Sequence, residues 1–148
     1  MISLVKNFKY VAFASMLLAA ALLTGGVQAA DSSADIAVTL DGAHEVPANT
    51  STGSGSGMFA VAADQTVTGS IKTTGVVGTM AHIHEAAAGK NGPVIVKLTQ
   101  SSPDTWVVPA GAKLTDSQYA SFKAGNLYVN VHSAAIPGGE IRGQLVAK

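Results

Sequence analysis

The 148-residue chain has no cysteine, one tryptophan and few aromatic or charged residues. Without cysteine there can be no disulfide framework, no thiolate metal site and no lipid anchor on a processed cysteine. Nine Lys/Arg against nine Asp/Glu, with no basic cluster, exclude a nucleic-acid footprint. Beyond residue 29 no apolar run is long enough to span a bilayer. The chain carries no P-loop, dinucleotide fingerprint or zinc-protease motif, and no Ser-His-Asp spacing stands out. No catalytic set is expected from these patterns.

What is present begins with a leader. Lys6 and Lys9 precede an uncharged apolar run over residues 11–23, and Val27-Gln28-Ala29 is a small-residue cleavage pattern. This order reads as a secretory signal peptide over residues 1–29, cut after Ala29 or one residue on, after Ala30. The apolar run is short for a retained anchor. Residues 30–148 then form a single domain, periplasmic or secreted, with no stable membrane insertion. That length builds a core without staples. Taking Lys6 and Lys9 from the nine basic residues leaves seven against nine acidic ones, a net charge of about −2.

Gly, Ala, Ser, Thr and Val dominate the remainder, a composition of strands and turns. Ile36, Val38 and Leu40 alternate with polar or small residues, as do Leu127, Val129 and Val131. Residues 58–63 and 66–74 read as a hairpin around Asp64-Gln65, and 93–98 and 140–145 as further strands. Residues 49–57 read as a polar loop, the run to Asp104 as a turn, and 106–108 as a short edge strand. Thr115-Asp116-Ser117-Gln118 is a capping box that opens a short helix stopped by Gly125. The fold class is all-β: an antiparallel, Greek-key-like β-sandwich with one short helix in a connection.

The chain has four histidines, and two lie in Met80-Ala81-His82-Ile83-His84-Glu85. On a strand Ala81 and Ile83 face the core, while Met80, His82 and His84 face the other way. His132 has the same design, with Tyr128, Asn130 and His132 outward and their neighbours inward. If the strands are close, His82, His84 and His132 converge as a three-imidazole site for zinc or copper. His44 is a fourth candidate ligand. Glu85 and Asn130 are candidate partners of the ligating rings, and Met58 and Met80 are soft donors suited to Cu(I). The competing reading is that these imidazoles hydrogen-bond to backbone and pin loops. Glu140 and Arg142 share a strand face and are expected to form an exposed pair.

Five segments carry a family resemblance: Leu40-Asp41-Gly42-Ala43-His44-Glu45-Val46-Pro47, Ala81-His82-Ile83-His84, Asn91-Gly92-Pro93-Val94, residues 127–135, and Pro137-Gly138-Gly139-Glu140-Ile141-Arg142-Gly143-Gln144-Leu145. Together they resemble the CHRD domain, the module named from chordin and also found alone in secreted bacterial proteins. His44 stands where that family usually has Gln. More distantly, His82-Ile83-His84-Glu85 and Val129-Asn130-Val131-His132 are similar to the copper-ligand strands of Cu/Zn superoxide dismutases. That similarity implies copper, with zinc second, on His82, His84 and His132. The bridging histidine, the zinc-ligand cluster, the cysteines and the guiding arginine of those enzymes have no counterpart here. Three readings follow, in this order: an extracytoplasmic metal-binding protein, a metal-free interaction or matrix module with a partner the sequence does not name, and a dismutase-like redox enzyme.

Overall fold

A computed structural model describes residues 34–147. The expected signal peptide over residues 1–29 lies outside the described residues. Among the described residues nine strands run β1 Ala34–Asp41, β2 Ser54–Val61, β3 Val67–Thr74, β4 Gly78–Glu85, β5 Val94–Lys97, β6 Thr99–Ser102, β7 Thr105–Val107, β8 Leu127–Ser133 and β9 Ile141–Leu145. One helix, α1 Asp116–Lys123, lies between β7 and β8. Its N-cap is Thr115, and both hydrogen bonds of the capping box are made. Gly125 takes a left-handed φ of 74°, which ends the helix.

The strands form one antiparallel sheet in the order β5-β4-β8-β9-β1-β2-β3-β7-β6. The two ends of that order, β5 and β6, are neighbours in the chain, with Leu98 alone between them. The Leu98 N–H donates to the Ala81 carbonyl at 2.9 Å. The sheet therefore curls until its ends nearly meet, a barrel-like sandwich with one interior. The chain crosses from β3 to β4, β8 lies between β4 and β9, and β9 returns to lie beside β1, which gives the Greek-key character.

Alternate residues fill that interior: Ile36, Val38 and Leu40 from β1, Phe59 from β2, Ile71 from β3, Ala81 and Ile83 from β4, and Leu127, Val129 and Val131 from β8. Each large aliphatic contributes about 1.5–3 kcal/mol by leaving water. Gly78 lets the two layers approach, since a Cβ there would lie 3.0 Å from Val131 and 3.1 Å from Trp106.

Several expectations are corrected. The expected turn before Asp104 holds β6, whose four residues are all exposed. That leaves β7 between β3 and β6 rather than at an edge. The end of the polar loop, from Ser54, pairs with β1 as the first half of β2. Tyr128, Asn130 and His132 point away from the core as expected, yet all of β8 is buried, because loops cover its second face. Glu140 and Arg142 are buried as well and do not pair. Glu140 accepts from Ser51 Oγ at 2.7 Å, and Arg142 turns to a different loop.

Candidate metal centre

Residues opposite one another on neighbouring strands share a face. Met80 lies opposite His132, His82 opposite Asn130, and His84 opposite Tyr128. On the far side of β8, Asn130 faces Arg142 and Tyr128 faces Gln144; on the far side of β4, His82 faces Lys97. The outer face of β5, β4, β8 and β9 is thus a patch of polar side chains backed by an apolar core.

Three histidines meet on it. One nitrogen from each of His82, His84 and His132 lies within 4.8 Å of the others. His82 Nδ1 is 3.1 Å from His132 Nε2. In a tetrahedral site with metal–nitrogen bonds near 2.05 Å, neighbouring donors stand about 3.3 Å apart. That pair already has the required spacing, and His84 needs a small approach. The three residues are 8–9% exposed, so the cluster is nearly closed to water.

Hydrogen bonds fix which nitrogens are free. His84 Nδ1 is 2.9 Å from the Gly92 carbonyl, and His132 Nδ1 is 2.9 Å from the Pro137 carbonyl. A carbonyl can only accept, so both rings carry their proton on Nδ1; the His132 Nε2 lone pair then accepts from His82 Nδ1–H, which a metal would have to displace, and the His84 Nε2 lone pair is unused. His84 Nε2 is buried with no hydrogen-bond partner, a costly state for a polar atom. Burial pushes the pKa of His82 down to about 4, aided by the positive charge that His132, His84 and Lys97 would add. Burial lowers that of His84 too, against the Gly92 carbonyl, which favours the proton. Both rings are neutral at pH 7, the form that ligates metals.

The remaining candidates separate. Asn130 is buried on the same face, directly opposite His82, and its Oδ1 has no hydrogen-bond partner. His44 stands apart from the cluster: its side chain is 66% exposed and its Nδ1 meets Asp41 Oδ1 at 2.7 Å. Glu85 falls on the opposite face of β4 from His84 and accepts from Ser121 Oγ on α1 at 2.6 Å. The geometry gives Glu85 no hydrogen bond to the imidazoles.

Two residues of this face escape a reading by sequence. Arg142 is 1% exposed, with its guanidinium carbon 3.4 Å from the Tyr128 ring centre. Tyr128 in turn stacks on His84, with centroids 4.7 Å apart and planes 5° apart. Because β4 and β9 flank β8, the Tyr128 ring is held between imidazole and guanidinium. Arg142 also donates to the Lys90 carbonyl at 2.8 Å and to Asn91 Oδ1 at 3.3 Å, in the loop that presents Gly92. Glu45 is the second: buried, its pKa raised by that burial while the Arg142 charge pulls it down. Alternation puts Arg142 on the histidine face, but an arginine between a turn and a glycine reads as solvent-exposed.

A family model described as the CHRD domain matches residues 36–145. The chain belongs to the CHRD domain family. The match runs from β1 to the end of β9, so the CHRD domain contains all three clustered histidines, Tyr128 and Arg142. Neither a curated protein nor a solved structure matches the chain. A CHRD domain is an extracellular type of module. Among the described residues, no helix is long and apolar enough to cross a membrane.

Proposed function

We propose that this CHRD protein is an exported copper-binding protein that holds one ion on His82 Nδ1, His84 Nε2 and His132 Nε2. The observation that carries the reading is the buried, partnerless Nε2 of His84 beside two other imidazole nitrogens. A metal would satisfy that atom, and the Gly92 and Pro137 carbonyls supply the backing hydrogen bonds that metal-bound histidines use. Nitrogen donors rank Cu(II) first among divalent first-row ions, with zinc behind it. The signal peptide expected from the sequence of residues 1–29 supports export to the periplasm or beyond the cell.

A second reading also has an observation behind it. His84 and His132 tie the loops at Gly92 and Pro137 to the sheet, which is what purely structural histidines would do in a metal-free interaction module. Titration separates the two. Exported protein purified without a histidine tag is expected to bind Cu(II) at about one equivalent and to melt at higher temperature with copper, since a ligand of the folded state adds stability by mass action. His82→Ala, His84→Ala and His132→Ala should each lower affinity strongly, and His44→Ala should not. Electron paramagnetic resonance of the copper form should show nitrogen hyperfine structure. If the triple alanine variant gives the wild-type spectrum and melting shift, the interaction module replaces the copper protein. An enzyme activity would further require superoxide turnover above that of free copper.

A further inference from the structure

We infer that the Met80 thioether is a fourth ligand of this centre, one that engages Cu(I) and leaves Cu(II) to the three imidazoles. The inference rests on the copper reading above and adds an oxidation-state preference to it.

The placement comes from the register. Met80 is two residues before His82, on the same face of β4, and directly opposite His132. Its ladder position is fixed from both sides. The regular pairing of β4 with β8 begins at Met80, after an irregularity between Gly78 and Met80, and Thr79 Oγ1 donates to the His132 carbonyl at 3.3 Å. Bulges of this kind often lie next to functional sites, where they set the aim of a side chain.

The side chain is out of keeping with its surroundings. Met80 is 48% exposed and is not packed on the apolar core, although the three rings beside it are nearly covered. Methionine is unbranched, with three rotatable bonds, so an exposed one at the rim can swing toward the cluster at small cost. Three imidazoles leave a tetrahedral ion one open position. Thioethers are soft donors that select Cu(I), whereas imidazole serves both oxidation states. The chain has no thiolate to compete for that position.

The molecule supplies its own control. Met58 on β2 has the same 48% exposure, but it pairs with Ala37 and Ser70 in the other half of the sheet. A general effect of exposed methionines, such as loose capture of copper or oxidation, acts on both residues. A ligand effect acts on Met80 alone. Leucine replaces methionine at nearly constant volume, so both variants should fold.

The test measures Cu(I) and Cu(II) affinity separately, by anaerobic and aerobic competition with chromophoric chelators, on metal-free exported protein. For Met80→Leu we expect Cu(I) affinity to fall about tenfold or more while Cu(II) affinity stays within about twofold. A tenfold loss of Cu(I) alone lowers the one-electron potential of the bound ion by about 59 mV. Met58→Leu should match wild type in all three. X-ray absorption of the Cu(I) form should show a copper–sulfur distance in wild type and Met58→Leu that is missing in Met80→Leu. If Met80→Leu binds Cu(I) like wild type, or loses no more than Met58→Leu, while the histidine variants still abolish binding, the thioether role is refuted and the three-imidazole copper site stands. If the triple histidine variant binds both ions like wild type, the copper reading fails and the Met80 role falls with it.

Discussion

Gly92 links the loop to the histidine cluster through a single carbonyl, the acceptor of His84 Nδ1–H. It has to be glycine, because a Cβ there would overlap the Glu85 carbonyl oxygen. Gly92→Ala is therefore expected to push the carbonyl off the ring, lower copper affinity by about 10–100-fold, as for other partners of metal-bound histidines, and cost about 1–3 kcal/mol of stability through overpacking. Gly138→Ala, where a Cβ meets nothing within 4 Å, is the neutral comparison. Copper titration and chemical denaturation of the two variants check this. At this scale the sequence was a good guide wherever strand parity decides. His82, His84 and His132 share a face because they sit at alternate positions of two strands that pair. It was a poor guide to His44, in the 3-10 turn Gly42–His44, where period 2 does not apply. Glu85 obeys parity too, and parity takes it to Ser121, away from the rings.

The loop over residues 86–93 behaves as one element because Arg142 holds it. The guanidinium donates to Lys90 and Asn91, stacks on Tyr128, and so fastens the loop over the His84 ring. Lysine keeps the charge but lacks the planar fork and the stacking. Arg142→Lys should cost about 2 kcal/mol or more, since hydrogen bonds from a charged donor are worth about 1.5–3 kcal/mol each. It should also speed hydrogen exchange at the amides of Asn91 and Gly92 relative to β8; unchanged exchange there would mean the loop is held by other contacts. None of this fastening shows in the pattern of β9 alone. The polar face of β8 reads as exposed because its cover comes from residues 44–49, 86–93 and 137–140, which no local window connects. For the opposite reason β6 went unseen: Thr99–Ser102 has no apolar alternation, and its one partner strand is β7. The other elements follow from alternation, the hairpin turn and the capping box, all of which are local.

For the whole molecule, the cost of burying neutral histidines appears as acid sensitivity. His82 titrates near 6.5 when unfolded and about 4 when folded, so between those values the unfolded chain binds more protons, and stability falls as the pH falls. His84 acts in the same direction. Glu45 opposes them: its raised pKa favours the folded state at low pH and loses that advantage as the pH rises through it. Asp41, Asp64 and Asp104, whose pKa values are lowered, add to the acid sensitivity at still lower pH. Thermal melts of the metal-free protein should drop in midpoint from pH 6.5 to pH 4.5, and His82→Leu should flatten that slope; an equally steep slope in the variant would assign the sensitivity to other groups. The closing of the sheet has a mechanical consequence as well. β1 and β9 are antiparallel neighbours, so the start of the first strand and the end of the last lie at the same end of the barrel. Tension applied through the segments that precede β1 and follow β9 would load a seam with one registered pair, Asp41 with Arg142, where β1 and β2 share eight. A domain tethered at both ends would open along that seam under low force, while β4 and β8, which carry the histidines, would stay paired until later.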